Sequence, residues 1–307
     1  MKKILFATTA LIATASVASA DVTVGGTARF GVQYNSALAT TTTLESRVTL
    51  NIDFSTETDG GLELGGRLRL RADENAATAT NGAQLYLKSG GFKLTVGNTC
   101  GAIECMPGVY TGSVGLNGNA WDALVTNTRG QDVVPGDGLG NWGWDAYQSS
   151  AVGANGAEVE YTAGDFKAHL SYGNLNAAPF HRVALTLAYT FGDWTAALGL
   201  QDGDRLLGVG DKTVFTINGK LGDFGVGFAV ADNNGTVKYA LNGSYTMGAT
   251  TVSGYIADED TAGIDSSYGL NVAYDLGGAS LVGGISSVGN ALGTSDTRAS
   301  AGIKFSF

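Results

Sequence analysis

Few side chains in this sequence have the chemistry for catalysis or for binding a transition metal. Its 307 residues include two cysteines, Cys100 and Cys105, and two histidines, His169 and His181. These counts nearly exclude a zinc site with several Cys or His ligands. Neither histidine lies in a nucleophile motif such as G-x-S-x-G, so a hydrolase would have to assemble Ser, His and an acid from separate strands. We therefore predict no catalytic residues and no enzymatic activity.

The two cysteines lie in the short run C-G-A-I-E-C, downstream of an export signal. The signal is predicted over residues 1–20, where two lysines and an apolar stretch lead to Ala18-Ser19-Ala20, typical of a cleavage site. Because exported compartments are oxidising, we predict a disulfide between Cys100 and Cys105. A redox-active pair or a metal pair is the alternative, although the spacing is not C-x-x-C and no histidine is nearby.

Charged residues form two groups of opposite sign. The basic group lies on three consecutive predicted strands and comprises Arg29, Arg47, Arg67, Arg69 and Arg71. The acidic group lies in the segment 99–152, which has Arg129 as its single base, and comprises Glu104, Asp122, Asp132, Asp137 and Asp145. Acids that face bases across a narrow passage produce a transverse field, which limits solute size and sets ion preference. We predict that the two groups form a pore constriction.

A third charged cluster, Asp258-Glu259-Asp260, falls in a predicted loop. The simplest interpretation is a solvated loop tip. Because hard cations prefer clustered oxygens, a structural calcium or magnesium site is the alternative. We predict no other cofactor.

These groups require elements that position them, and the sequence indicates β-strands. Apolar and polar residues alternate, which is typical of a strand with one apolar and one polar face. In 21–34, Val22, Val24 and Phe30 share one face, whereas Arg29 and Gln33 share the other.

Turn signals divide this pattern into repeated units. Gly-containing turn pairs such as Gly192-Asp193 recur 26 to 30 residues apart, with one longer step of 74. Such pairs suit two-residue hairpins. The runs between breaks give sixteen strands, including one at 82–88 after a polar break at 74–80 and one at 249–257.

Alternation does not say which face points inward. A closed barrel of about sixteen strands has a lumen too wide to be filled by side chains, so an apolar interior would be a void. The polar faces carry charges at mid-strand, and large aromatic residues lie beside the tight turns, as in the interface girdles of membrane barrels. We predict an all-β fold, a sixteen-stranded antiparallel transmembrane β-barrel over 21–307. A secreted β-sandwich or β-solenoid is the alternative.

Composition agrees with this class. Hydrophobic residues make up 44% and charged residues 15%, against about 25% in soluble domains. The net charge is −10 and becomes −12 once Lys2 and Lys3 are removed with the signal. An acidic chain with a pI near 4.6 argues against nucleic acid as a partner.

One connection, 99–152, is far longer than ordinary loops of about 15 residues or fewer. Three of the four tryptophans lie in it, so it has the apolar side chains to pack as an ordered segment. We predict that this long third loop folds into the lumen as the constriction loop. A surface flap is the alternative.

The chain resembles the Gram-negative general diffusion porins, the trimeric sixteen-stranded kind, and the alphaproteobacterial branch most of all. The resemblance rests on D-V-T-V-G-G-T-A-R-F-G-V-Q-Y at 21–34, the repeated G-D-[WF] turns, the long third loop and A-G-I-K-F-S-F at 301–307. It implies a homotrimer in the outer membrane of a Gram-negative bacterium, in contact with lipid and lipopolysaccharide. Phe307 matches the terminal aromatic that the outer-membrane assembly machinery reads.

We therefore predict a water-filled channel for passive diffusion of ions and small hydrophilic solutes. Its ion preference is expected to be weak and tilted toward cations by the −12 total. The alternatives are a channel specific for one solute class and a non-conducting structural or adhesin barrel.

Overall fold

The computed structural model of the chain describes residues 21–74, 76–128, 144–151, 153, 155–174, 181–203, 210–290 and 293–307. The predicted signal at 1–20 lies outside these residues. Helical structure in them is limited to single 3₁₀ turns at Gly115–Asn117 and Trp121–Ala123. None of it has the length or apolar character of a membrane-spanning helix.

Sixteen antiparallel strands form the wall of the molecule. In chain order they are β1 Asp21–Asn35, β2 Thr42–Glu57, β3 Glu63–Asp73, β4 in two pieces at Ala76–Thr80 and Gln84–Ser89, β5 Phe92–Gly97, β6 Gly156–Ala163, β7 Phe166–Asn174, β8 His181–Phe191, β9 Trp194–Gly203, β10 Lys212–Leu221, β11 Phe224–Asn233, β12 Thr236–Met247, β13 Thr250–Glu259, β14 Ser267–Asp275, β15 Ala279–Gly289 and β16 Ser295–Ser306. Tight turns with glycines at positive φ, such as Gly192 and Gly222, join strands at one end.

The sheet closes because β1 pairs with both β2 and β16. Backbone hydrogen bonds between Gly26 and Phe307 extend this seam to the last residue. No strand edge is left open at the seam, as a barrel in lipid requires. The prediction of a closed sixteen-stranded antiparallel barrel is confirmed.

Two local predictions were wrong. Residues 76–80, expected to be a polar break, form a short strand against β3, and the register shifts between Arg71 and Asp73. Both pieces of β4 pair with β3, so they count as one strand of the wall. Strand β13 also continues to Glu259, which places Asp258 and Glu259 in a strand and not in a loop.

Large apolar side chains cover the outside of the barrel. On β12, Leu241 is 49% exposed, whereas its neighbour Ala240 is fully buried on the inner face. On β8, Leu185 and Leu187 point outward, and the residues between and beside them point inward. Aromatic pairs near the tight turns, such as Phe224 and Tyr245 with ring centroids 4.8 Å apart, are typical of a membrane interface.

The apolar core lies inside the barrel, between the third loop and the inner wall. Ile103, Val109 and Leu124 of the loop are buried in one cluster with inward residues of β8 to β13. Those inward residues are mostly alanines, including Ala184, Ala197, Ala229, Ala240 and Ala257. Small inward side chains leave the space that the loop fills, so the described part of the loop packs within the lumen.

Candidate functional site

The third loop is attached to the wall at its start. Cys100 and Cys105 form a disulfide there. The backbone N–H of Gly101 donates to the Glu158 carboxylate at 2.9 Å, and that of Ala102 donates to the Ser171 hydroxyl at 2.9 Å. These bonds hold the first turn of the loop against β6 and β7, so the path of the loop across the lumen begins from a fixed point.

The tip of the loop is attached to the opposite wall. Leu116 is fully buried, and its Cδ1 atom lies where a side chain at Gly31 or Gly302 would otherwise extend. Its backbone N–H donates to the Ser300 hydroxyl at 2.9 Å. The guanidinium of Arg29 donates to the Leu116 carbonyl at 2.8 Å. The two glycines on β1 and β16 therefore form the notch that receives the tip, and we call this contact the tip notch.

A cavity open to water lies between the loop and the wall of β1 to β3 and β16, where we expect the passage for solutes. The cavity there has a volume of about 620 Å³ and is called the upper cavity below. Its charged and aromatic lining consists of Arg29, Arg47, Arg69, Arg71 and Arg298 from the wall and Glu104, Tyr110, Trp121, Asp122 and Tyr147 from the loop. Bases on the wall thus face acids on the loop.

Strand register brings the arginines together. Arg29 on β1 is directly opposite Arg47 on β2, and Arg71 on β3 is opposite Thr49. Carboxylates on the same strands offset part of this charge: Glu45 pairs with Arg29, and Asp73 pairs with Arg47. The row of arginines is therefore built into the sheet.

Arg69 is held by neutral groups. It donates to Asn51 and to the Ser149 hydroxyl, each at 2.8 Å. Its guanidinium lies 4.8 Å from the ring centroid of Tyr147, within cation–π distance. These contacts orient the side chain toward the loop without neutralising its charge.

Glu104 is an acid of the loop whose carboxylate is held in place by hydrogen bonds. Its carboxylate accepts hydrogen bonds from the Tyr110 hydroxyl at 2.8 Å and from the Tyr147 backbone N–H at 2.7 Å. Burial raises the pKa of Glu104 to about 7, and the two hydrogen bonds only partly counteract that rise. Asp122, which also lines the upper cavity, accepts a hydrogen bond from the Tyr255 hydroxyl at 2.5 Å.

Two residues of the predicted constriction lie away from the passage. Arg67 pairs with Asp53 and does not line the upper cavity. Asp145 is buried against Arg182 at 2.8 Å, and burial raises the pKa of its carboxyl. Asp132 and Asp137 lie outside the described residues, as does Arg129.

Sequence reasoning did not place several residues of the passage. Arg298 could have been found, because it is six residues before Lys304 on β16 and even spacing puts both side chains on the inner face. Tyr110 and Tyr147 had no such signal, because a loop has no periodicity from which to read direction.

The acidic cluster at 258–260 does not converge. Asp258 accepts hydrogen bonds from the hydroxyls of Tyr239 and Ser266, whereas the neighbouring Glu259 is buried beside Lys238. Consecutive strand residues point to opposite faces, so these two carboxylates cannot share one ion. Among the residues that the structure describes, no group of three or more His, Cys, Asp or Glu side chains could hold a metal ion.

Comparison with known proteins gives consistent matches over nearly the whole chain. A family model described as Gram-negative porin matches residues 7–292. A porin of Fuscovulum blasticum is 30% identical over 278 residues, covering 81% of this chain and 88% of that porin. A porin of Rhodobacter capsulatus is 29% identical over 320 residues, covering 94% and 100%. The structure of a multiply substituted Rh. blastica porin matches with a TM-score of 0.79 at 26% identity, covering 94% of this chain and all of that one.

Proposed function

Because this chain belongs to the Gram-negative porin family and is an outer-membrane channel with a multi-pass β-barrel, we propose that its third loop and the arginine row form the constriction that solutes pass. The observation that supports this most strongly is the upper cavity, where Glu104 and Asp122 of the loop face arginines of β1 to β3 and β16. Solutes cross through water in this proposal, and the protein performs no chemical reaction on them.

The constriction is proposed to consist of Arg29, Arg47, Arg69, Arg71 and Arg298 on the wall and Glu104 and Asp122 on the loop. Its ion preference is weak, because two contributions oppose each other. The acidic net charge of the chain favours cations. The described lining of the upper cavity, with more arginines than carboxylates, favours anions.

Titration of Glu104 tests this proposal. A carboxyl with a pKa near 7 is mostly neutral at pH 6 and mostly charged at pH 8. The Coulomb energy between one charge and an ion about 6 Å away in water is about 0.7 kcal/mol. This energy changes the occupancy of the ion by roughly threefold. The cation-to-anion permeability ratio from reversal potentials should therefore rise between pH 6 and pH 8. Glu104→Gln should remove this rise.

Asp223→Asn is the matched control, because it removes one acid from an exposed tight turn. This variant should keep the pH-dependent rise. A flat profile in the unmodified channel, or a full rise in Glu104→Gln, would contradict the placement of Glu104 in the constriction.

We further propose that the functional unit is a homotrimer. Strand β5 has only 6 residues, whereas a tilted strand needs about 9 to 11 to cross the hydrocarbon core. This part of the wall is too short to span the hydrocarbon core of the membrane. Contact with neighbouring copies of the chain would cover it. A particle mass of one protomer in mild detergent would contradict the trimer.

Lipopolysaccharide and the assembly machinery are the remaining proposed partners. Phe307 pairs β16 to β1 through Gly26, and its ring is exposed beside Phe305. We propose that the assembly machinery reads this terminal aromatic. Removal of Phe307 should lower the amount of folded protein in the outer membrane, and an unchanged amount would exclude this role.

A further inference from the structure

A second cavity adjoins the passage on the side of the tight turns. It has a volume of about 480 Å³ and is called the lower cavity here. Arg29, Arg47 and Arg71 line both cavities and therefore lie at the neck between them. The rest of its polar lining is rich in donors and comprises Lys304, Thr27, Thr49, Ser280 and Ser306, with Asp275 as the single carboxylate among the lining residues that the structure describes.

Positive charges are concentrated along one row of the sheet. Lys304 is directly opposite Arg29, and Arg29 is directly opposite Arg47, on three adjacent strands. Adjacent strands are about 4.8 Å apart, and like charges placed directly opposite one another destabilise a sheet. Glu45 and Asp73 offset Arg29 and Arg47. Repulsion between these like charges destabilises the sheet. A bound anion would offset the positive charge that Glu45 and Asp73 do not.

Arg71 and Lys304 carry that remaining charge. Within the described residues Arg71 forms no ion pair, although Asp73 on the same strand attracts its charge, and its buried Nε atom has no hydrogen-bond acceptor. Among the described residues, Lys304 donates to one neutral group, the Gly115 carbonyl, at 3.1 Å. Arg71 and Lys304 both line the lower cavity, so it carries positive charge that no ion pair among the described residues neutralises.

We propose that the lower cavity is a binding subsite for small solutes with two or more carboxylate or phosphate charges, held by Arg71 and Lys304. The inference rests on the proposed channel function and specifies one class of solute for it. A guanidinium binds an oxyanion through two parallel hydrogen bonds, and an ammonium group adds a point charge. The hydroxyls of Thr27, Thr49 and Ser280 supply further donors around the anion. A cavity of about 480 Å³ is within the range of small-molecule sites.

Citrate is a suitable probe in planar bilayers at low salt. Added to one side, it should block the single-channel current in a saturable manner, whereas a neutral sugar of similar size at the same concentration should not. Loss of a hydrogen bond to a charged group weakens binding by about tenfold or more. Arg71→Gln and Lys304→Gln should each raise the half-blocking concentration by about that factor. Arg71→Lys, which keeps the charge, should recover part of the loss.

Lys88→Gln is the matched control for charge. Lys88 points into the barrel near the tight turns, pairs with Glu63 at 3.3 Å and lines neither cavity. If Lys88→Gln weakens the block as much as Lys304→Gln does, the effect is a general field and the subsite is refuted. Conducting channels without saturable block would overturn the subsite and leave the channel function intact. Absence of conductance steps would overturn both.

Discussion

Leu116→Ala is expected to release the tip of the third loop and to increase both the single-channel conductance and its fluctuations. Leu116 is fully buried in the tip notch formed by Gly31 and Gly302. A buried Leu→Ala change costs about 2–5 kcal/mol, because the transferred methyl groups and the cavity left behind both contribute. The anchors of the tip that remain among the described residues are hydrogen bonds with Arg29, Ser300, Asn271 and Lys304. Because each of these hydrogen bonds contributes about 1 kcal/mol net, the docked tip is only marginally stable in the variant.

Current recordings in planar bilayers measure this effect. Leu170→Ala is the control, because Leu170 is a half-exposed leucine on the outer face of β7. It makes the same chemical change without touching the loop. If Leu116→Ala conducts with the same amplitude and noise as the unmodified channel, the tip notch does not hold the third loop in place at the constriction.

Leu241→Arg should destabilise the barrel strongly, whereas Asn242→Arg should not. The two residues are adjacent at the middle of β12 and lie at nearly the same depth. Leu241 is 49% exposed on the outer face, and Asn242 is half-buried on the inner face. An arginine on the lipid face near the bilayer midplane costs about 2–4 kcal/mol, because its charge must leave water. The same arginine at Asn242 reaches the water of the lumen.

Urea titration of both variants in lipid vesicles gives the difference in unfolding free energy directly. The unmodified chain and Asn242→Arg should unfold at similar urea concentrations, and Leu241→Arg should unfold at a much lower one. Equal destabilisation of the two variants, or a larger effect at Asn242, would show that the assignment of inner and outer faces is wrong.

The strands and their faces were predictable because a strand has a period of two and the turn residues are chemically distinctive. Positive φ at Gly192 and Gly222 is what the Gly-Asp pairs require. Once lipid is identified as the outer environment, alternation assigns Leu68 to the outside and Arg69 to the lumen. The disulfide was also predictable, because exported compartments are oxidising and the chain has two cysteines close together.

The candidate site was only partly predictable, since its two halves follow different rules. Arg29, Arg47, Arg69 and Arg71 lie on strands, so their direction could be read from the sequence. The loop acids had no such rule. Glu104 and Asp122 reach the passage, but Asp145 is buried against Arg182. Nothing in the sequence between 99 and 152 distinguishes these three carboxylates.

Packing of the loop also depends on residues that look unremarkable in the sequence. Gly31 and Gly302 receive Leu116 because they have no side chain, and the inward alanines of β8 to β13 make room for the loop core. Each of these glycines and alanines is unremarkable in a strand when it is considered alone. Their role becomes visible only when register places Gly31 opposite Gly302 at the barrel seam.

The central claim is that a charged, water-filled passage crosses the barrel between the third loop and the arginine row. Single-channel recording of the purified full chain in a planar bilayer tests it most directly. We predict discrete, long-lived conductance steps with only weak ion preference. Stable insertion into the bilayer without any conductance steps would contradict the claim, because the barrel would then be a closed structural protein.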